Sequence, residues 1–252
     1  MMRSIIKSNK TYYVLGILFL FVVWGIGALS IKNDYVVPSV GATFTSLFDL
    51  FIQGHTYIVL LNTLLRLFIS VGACSILGIV LAILSNASVR FKSFLKPIMV
   101  LSKTLPIAVV IVLLLVMLEA KSVYYITGVV VLPIIYEAFL SGFENIDINI
   151  INELRVNTKD NAMVYRKVYI PLAFPNIITG FIQAIGLGLK VLVMAEYLAH
   201  PRNSIGYEIM YYKDLSNEMS YVYAWSLILI TFVLCVELIL NIVKRKLGLH
   251  EK

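Results

Sequence analysis

Long apolar runs, separated by short polar segments, dominate the pattern of this chain. A helix of about 20 residues crosses the hydrocarbon core of a bilayer. Helices are the expected element because the membrane interior requires every backbone polar group to be paired. Six runs are long enough, and the predicted spans cover residues 12–30, 57–85, 94–118, 122–141, 172–198 and 221–243. The pattern therefore predicts an all-α membrane protein with six transmembrane helices.

The composition agrees with this membrane class. Hydrophobic residues make up 60% of the 252 residues and charged residues only 14%, whereas soluble domains contain roughly 25% charged residues. No polar segment is long enough for an independent soluble domain, so residues 1–252 are expected to form one membrane domain without its own ATPase or ligand-binding lobe. Cys74 and Cys235 both lie in apolar runs and indicate neither a disulfide framework nor a zinc site.

Basic residues are distributed unequally between the two sides that these spans define. With the N-terminus placed inside, 14 of the 21 Lys and Arg residues lie on the inner side, 4 on the outer side and 3 within spans. Because cytoplasmic loops carry the excess of positive charge, both termini and the loop 142–171 are predicted to be cytoplasmic. The first run also has signal-peptide features, with Ala28-Leu29-Ser30 at a cleavage-like spacing, but its length favours an uncleaved anchor.

The loop 142–171 is a long polar interruption between apolar runs. Loops in compact domains have a median length of about 4–6 residues, so a connection of this length is expected to have its own structure. Thr158 is a plausible N-cap for a short helix over residues 159–169, and Pro171 and Pro175 follow at the start of the fifth span. Its side chains that could contact a partner outside the bilayer are those of Ala162, Met163, Tyr165 and Val168.

The end of this loop carries a family pattern. Val168-Tyr169-Ile170-Pro171 resembles the Ile-x-Leu-Pro ending of the cytoplasmic loop in permease subunits of binding-protein-dependent ABC importers. Thirteen residues before this Pro, Thr158 stands where the family has Gly, and Asn152-Glu153-Leu154 falls at its Glu-Ala-Ala position. The turn that the Gly would make is expected from Asn157 or Asn161, since asparagine tolerates unusual backbone angles.

Further segments resemble the nitrate, sulfonate and taurine branch of these permeases, in the order and spacing expected there. They are Val37-Pro38-Ser39 with Gly41 after the first span, Asn62-Thr63-Leu64-Leu65-Arg66 and Gly78 in the second, Lys103-Thr104-Leu105-Pro106 in the third, and Ala195-Glu196-Tyr197-Leu198 followed by Ser204-Ile205-Gly206-Tyr207 after the fifth. The second Pro of the first motif is absent, and Val112 stands where the branch has another Pro. Six spans also fit this branch.

The resemblance implies a type I ABC importer permease fold in a bacterial inner membrane, with a cytoplasmic coupling helix between spans four and five. It implies two ATPase subunits, an extracellular or lipid-anchored solute-binding protein and a second permease subunit, either another copy or a paralogue, with no nucleic-acid partner. ATP and Mg would be used by the ATPase, and no cofactor would be bound by this chain. The residues that the resemblance assigns to ATPase coupling are Glu153, Asn157, Thr158, Ala162, Met163, Tyr165 and Pro171.

Four charged residues inside the spans are candidates for the translocation pathway, namely Arg66, Lys103, Lys190 and Glu196. A charge at mid-membrane costs at least roughly 2.5–3.5 kcal/mol on insertion scales, so it needs a partner, water or a role. Lys190 and Glu196 are six residues apart and do not share a helix face, so each is expected to find its partner on another helix. The alternatives are structural pairing or snorkelling and contact with a solute, which three basic residues would suit if it were anionic.

The fifth span also contains a stripe of small residues at Gly180, Gly186 and Gly188. Such stripes let helix backbones approach closely in membranes, so close packing is expected, with a hinge or a pore-lining backbone as the alternative. Outside the spans, Thr43 to Phe51 is predicted as a short interfacial helix. Residues 199–220 are predicted as a lid or an interfacial loop, with tyrosines at the headgroup level.

Other functions fit the pattern less well. A stand-alone proton-coupled secondary transporter could use Glu137 or Glu196 as its proton site, but it leaves the cytoplasmic loop unexplained, and the sequence has no convincing internal repeat of broken helices. A membrane enzyme would need a catalytic motif, and the three histidines lie outside the spans without HExxH or Gly-x-Ser-x-Gly. The sequence does not identify the solute, and the candidates are sulfonates, nitrate, taurine and pyrimidine vitamin precursors.

Overall fold

The chain is built from helices in the residues that its computed structural model describes, which are 2–157 and 162–246. The helices are α1 (Met2–Ile31), α2 (Val40–Ile52), α3 (Gly54–Ala87), α4 (Val89–Thr104), α5 (Ile107–Leu118), α6 (Ser122–Glu144), α7 (Ile148–Asn157), α8 (Ala162–Val164), α9 (Ile170–Ala199), α10 (Ile205–Met210) and α11 (Met219–Lys246). A 3₁₀ turn at Glu119–Lys121 joins α5 to α6, and π-helical turns lie at Tyr165–Tyr169 and Tyr211–Leu215. No strand occurs among these residues, so the all-α prediction is confirmed.

Five segments of the described chain are long and apolar enough to cross a membrane. They are Val14–Ile31, Gly54–Ala87, Ile107–Glu144, Tyr165–Ala199 and Met219–Ile242. The sequence predicted six such segments. The difference arises in the predicted third span, residues 94–118, which is not one continuous apolar helix.

Leu105 and Pro106 divide this predicted third span. Leu105 is extended, with φ −61° and ψ 130°, as expected for a residue before proline, and α5 begins only at Ile107. The helix before this break, α4, is basic rather than apolar, with Arg90, Lys92, Lys96 and Lys103. The helix after it has 12 residues, fewer than the about 20 that a crossing helix needs. Glu119, with φ 48°, then separates α5 from α6.

The described residues fall into two compact units. The first unit lies within Met1–Ile58 and Glu208–Leu229, and the second lies within Val59–Tyr207 and Ile230–Lys252. The first unit joins α1, α2 and the start of α11 through aromatic and polar contacts. Within it, the ring of Trp24 stacks on Tyr223 with ring centroids 5.5 Å apart, and the hydroxyls of Ser46 and Ser220 lie 2.8 Å apart. The predicted short helix over residues 43–51 is observed within α2.

The second unit is organised around the close, antiparallel packing of α6 and α9. A Cβ atom added at Gly180 would lie 2.1 Å from the Cβ of Ala138, and one added at Gly188 would lie 2.9 Å from a methyl of Val131. Only glycine permits backbones to approach this closely, and small residues serve this purpose in membrane helices. At Gly186 the nearest atom to an added Cβ would be 4.0 Å away. The predicted close packing of the stripe is therefore confirmed at Gly180 and Gly188.

Two further helices pack on α6 in the second unit. On α3, the hydroxyl of Ser70 donates to the carbonyl of Tyr124 at 3.4 Å, close to the start of α6. Further along both helices, a Cβ at Gly78 would meet a methyl of Ile135 at 2.8 Å, so α3 and α6 run in the same direction. The ion pairs that join α4 to α6 are Lys92–Glu144 and Lys103–Glu137.

Replacing Gly180 with Ala is expected to destabilise the second unit, because one added carbon would collide with Ala138. Overpacking of this kind costs about 1–3 kcal/mol, so the thermal unfolding midpoint of the detergent-solubilised chain should fall by several degrees. The matched control is Gly186→Ala, where the added carbon has room and the midpoint should not fall. Equal midpoints for the two variants would contradict the packing described for α6 and α9.

Candidate functional site

A polar cleft of about 480 Å³ opens between α4, α6 and α9 in the second unit. Its volume lies within the range of about 300–1,000 Å³ that is typical of small-ligand sites. On its wall, Lys103 of α4 and Glu137 of α6 form an ion pair. The polar residues that α9 contributes are Asn176, Thr179 and Gln183. The cleft is therefore lined by hydrogen-bonding groups, by the Lys103–Glu137 pair and by Glu144, which pairs with Lys92 outside the lining.

The polar lining continues along one face of α9. Asn176, Thr179 and Gln183 recur every three to four residues, which places them on the same helix face. Lys190 extends this face two turns beyond Gln183, and its side chain is exposed. Among the described residues, no carboxylate lies within ion-pair distance of Lys190. Lysine and amide side chains are unfavourable against lipid, so this face indicates contact with a water-filled path or with another subunit.

Glu196, near the end of α9, is the centre of a separate buried network. Its carboxylate accepts hydrogen bonds from Nη1 of Arg66 at 2.9 Å, from the hydroxyl of Thr63 at 3.0 Å and from the backbone N–H of Gly206 at 3.3 Å. The Glu196 side chain has no exposed surface. A buried charge is tolerated when it is paired and hydrogen-bonded, and this carboxylate has both kinds of partner.

This network joins α3 to α9 and to the start of α10. Thr63 and Arg66 are three residues apart and share one face of α3. Oγ1 of Thr63 also accepts a hydrogen bond from the backbone N–H of Ile205 at 3.0 Å. At Gly206, a Cβ would lie 2.3 Å from the backbone nitrogen of Tyr197, so the close approach requires glycine. The start of α10 is thus tied to α3 through Thr63 and packs on the end of α9 too closely for a side chain at Gly206.

The structure separates the four predicted pathway residues into two places. Lys103 lines the cleft, and Lys190 lies on the exposed face of α9 that the cleft shares. Arg66 and Glu196 lie together in the buried network, so the prediction that Glu196 finds its partner on another helix is confirmed. The same expectation for Lys190 is not met among the described residues.

Sequence reasoning did not identify Thr63 and Gly206 as partners of Glu196. The spacing of Thr63 and Arg66 shows that they share a helix face, but it does not show which distant residue they face. Gly206 stands 10 residues after Glu196, and its glycine could equally mark a turn. The network depends on tertiary packing, which spacing along the chain does not reveal.

Tyr165, a predicted coupling residue, lies inside the protein and not on the surface of the loop. Its ring stacks on Tyr169 with centroids 4.6 Å apart and meets Phe143 at 5.7 Å in an edge-on geometry. Its hydroxyl accepts a hydrogen bond from Nδ2 of Asn86 at 2.9 Å. Only 5% of its surface is exposed. The structure corrects the expectation that Tyr165 is presented to a partner, because the aromatic cluster buries its ring and the ring anchors the loop.

Other coupling candidates lie on the loop surface. Met163 is 62% exposed, and Glu153, Arg166, Lys167 and Pro171 are exposed as well. The predicted helix over residues 159–169 is observed from Ala162 onward, and its π-helical turn runs directly into α9. Pro171 lies in the first turn of α9 and Pro175 lies inside it. Residues 158–161, including Thr158, lie outside the described residues, as do the side chains of Asn157 and Ala162.

Known proteins share both sequence and fold with this chain. Residues 75–249 match the model of the family described as binding-protein-dependent transport system inner membrane component. The chain is 27% identical over 194 residues to a Bacillus subtilis (strain 168) protein that bears the name aliphatic sulfonates transport permease protein SsuC, a match that covers 73% of this chain and 67% of that protein.

Two solved structures share the fold at low sequence identity. One is the MetNI methionine ABC transporter in an inward-facing conformation, with a TM-score of 0.66 and 14% identity over 75% of this chain and 94% of that chain. The other is a bacterial ABC transporter involved in the import of the acidic polysaccharide alginate, with a TM-score of 0.65 and 15% identity over 97% of this chain and 99% of that chain. These matches establish the fold of a type I ABC importer permease.

Replacing Arg66 with Ala is expected to destabilise the folded chain, because it leaves the buried carboxylate of Glu196 without its ion-pair partner. Removing one partner of a buried pair costs about 3–5 kcal/mol, so the thermal unfolding midpoint in detergent should fall strongly. The double variant Arg66→Met with Glu196→Gln should recover part of this loss, since it removes both charges. As a control, Lys190→Ala should leave the midpoint unchanged. An unchanged midpoint in Arg66→Ala would show that the pair is not structural.

Proposed function

Because the chain belongs to the family of binding-protein-dependent transport system inner membrane components, we propose that two such subunits form the pathway of an ATP-driven ABC importer for a small anionic solute. The chain is a multi-pass membrane transport permease of the sulfonate-like kind and not an enzyme. The observation that carries the proposal is the polar face of α9, which is half-buried at Asn176 and Thr179, exposed at Gln183, and joins the cleft to the exposed Lys190.

This face has the groups that a small oxyanion would need. Lys190 supplies a positive charge that no carboxylate among the described residues neutralises. The side-chain amides of Asn176 and Gln183 can donate hydrogen bonds to oxyanion oxygens. Lys103 contributes little net charge because it is paired with Glu137. An anionic head group such as a sulfonate would therefore be attracted to Lys190 and would exchange water for the polar lining of the cleft.

Two subunits are required to enclose this pathway. In a single chain the polar face of α9 would meet lipid, which disfavours lysine and amide side chains. A two-fold axis would set two such faces opposite each other, since a two-fold dimer buries the same patch on both subunits. The proposal therefore favours a homodimer, with a paralogue as the alternative partner.

The loop between α6 and α9 provides the contact with the ATPase in this proposal. Met163 and the neighbouring basic residues Arg166 and Lys167 are exposed, whereas Tyr165 and Tyr169 anchor the segment beneath them. Because this segment continues into α9 without a break, a displacement at Met163 would move α9 and the cleft that it lines. ATP and Mg would be bound by the ATPase subunits and not by this chain.

The proposal sets this loop on the cytoplasmic side of a bacterial inner (plasma) membrane. The support is the excess of basic residues on the side that carries the loop, which is 14 against 4 when the broken segment of α4 and α5 is counted as the third of six crossings. Both termini would then be cytoplasmic, and the residues between α9 and α11 would face outward. A solute-binding protein, free or lipid-anchored, would deliver the solute to this outer side.

Replacing Met163 with Glu is expected to release the ATPase subunit, because an apolar contact would then have to bury a charge. Burying an unpaired polar group costs about 1–3 kcal/mol in proteins and a charge costs more, so association should weaken at least about tenfold. The measurement is the amount of ATPase that co-purifies with the tagged chain from its native membrane. Met163→Leu, which keeps the apolar volume, is the control and should retain the ATPase. Full recovery of the ATPase with Met163→Glu would contradict docking at this residue.

Replacing Lys190 with Gln is expected to raise the KM for ATP-driven uptake of an alkanesulfonate by at least about tenfold, since a hydrogen bond to a charged group contributes about 1.5–3 kcal/mol. Uptake is measured in proteoliposomes that contain the permease, its ATPase and its binding protein. Lys190→Arg keeps the charge and should stay close to wild type. An unchanged KM in Lys190→Gln would remove Lys190 from the pathway, and uptake that continues without the ATPase would favour a secondary transporter instead.

A further inference from the structure

A groove lies in the first unit, at the C-terminal end of α1, and the proposed function does not use it. Its volume is about 440 Å³. Its lining comprises Gly25, Ala28 and Leu29 of α1, Lys32 and Asp34 of the following turn, and Ser39 and Val40 at the start of α2. Along the axis of α1 the lining therefore changes from small and apolar residues to one cation and one anion.

The groove is formed by a missing side chain and by a turn that folds back on the helix. A Cβ at Gly25 would meet no atom within 4 Å, so the space above this residue is open. Lys32, with φ 50°, reverses the chain after α1. The indole Nε1 of Trp24 donates a hydrogen bond to the carbonyl of Pro38 at 3.0 Å, which holds the turn against α1.

The position of the groove corresponds to the boundary between hydrocarbon and headgroups. The apolar window of α1 ends at Ile31, so Lys32 and Asp34 come directly after the membrane-crossing part of the helix. Tryptophan and tyrosine are enriched at this level of the membrane. Trp24 and the largely exposed Tyr35 are sequence neighbours of the groove residues Gly25 and Asp34. A lipid molecule would meet this groove with its headgroup at the charged end and its acyl chains at the apolar end.

We propose that this groove binds one zwitterionic phospholipid of the phosphatidylethanolamine type. The lipid phosphate would pair with the ammonium of Lys32, and the lipid ammonium would pair with the carboxylate of Asp34. The glycerol and the upper acyl carbons would lie along Gly25, Ala28 and Leu29. This assignment does not depend on the transported solute or on the ATPase.

Charge complementarity selects this lipid over an anionic one. Lys32 and Asp34 are both exposed, and they do not form an ion pair with each other within 4.0 Å. Both charges are therefore available to a headgroup that carries one charge of each sign. An anionic phospholipid such as phosphatidylglycerol would satisfy Lys32 but would leave its negative charge close to Asp34, without a counter-charge.

Native mass spectrometry of the full-length chain in detergent tests this proposal, with phosphatidylethanolamine and phosphatidylglycerol as the titrated lipids. The wild-type chain should bind one phosphatidylethanolamine at a lower lipid concentration than phosphatidylglycerol. Gly25→Leu, at a position where an added Cβ has room, should fill the groove and abolish this binding. Lys32→Gln and Asp34→Asn should each weaken it roughly threefold, which is the size expected for one exposed ion pair.

Gly27→Leu is the matched control for the steric test. An added Cβ at Gly27 also meets no atom within 4 Å, but Gly27 is two residues further along and therefore about 200° around the helix from Gly25. It should bind phosphatidylethanolamine as the wild-type chain does. The proposal is overturned if Gly25→Leu and Gly27→Leu bind this lipid equally, if phosphatidylglycerol binds as tightly, or if the two charge variants bind both lipids as the wild type does.

Discussion

The close approach of α6 and α9 is the constraint on which the second unit depends. Lipid tails are as apolar as leucine side chains, so membrane helices associate through close packing and polar contacts more than through the hydrophobic effect. Gly180 and Gly188 provide the packing, and ion pairs hold α4 against α6. The cleft is the space left between these three helices. Gly180 brings α6 and α9 together and also lines the cleft. The shape of the cleft therefore depends on this glycine.

Two of the three basic residues predicted for the pathway have an ion-pair partner in the second unit, and in the described part of the chain Lys190 does not. Arg66 neutralises Glu196, and Lys103 neutralises Glu137. Lys190 has no ion-pair partner among the described residues, although a charge in a membrane helix is costly unless it has a partner, water or a role. The buried pair is explained by structure alone, because it ties the chain after α9 to α3. The unpaired lysine is not explained by structure within one subunit, and for this reason it carries the argument for a pathway.

The helices were predictable from the sequence because length and hydropathy determine them, but their breaks and partners were only partly so. Pro106 could have been read as a break, since proline ends or kinks helices, yet the apolar residues on both sides of it made residues 94–118 look like one span. Tyr165 could not be oriented from spacing, because an aromatic residue in a loop can face a partner or its own protein with the same pattern. The pairing of Glu196 with Arg66, 130 residues away, depends on how α3 and α9 pack, which no local pattern specifies.

The burial of Tyr165 changes how a displacement of the loop would reach the cleft in the proposed importer. The loop is continuous with α9 through the backbone, and Tyr165 also joins it to Phe143 of α6 through ring contacts. A displacement of the loop would therefore act on α6 and α9 together, and their glycine contacts would keep them packed as they move. The helix α4 is attached to α6 by half-exposed ion pairs, which contribute only about 0–1 kcal/mol each, and it ends at the break before Pro106. In the proposed importer, motion of the α6–α9 pair relative to α4 would open or close the cleft while breaking only these weak contacts.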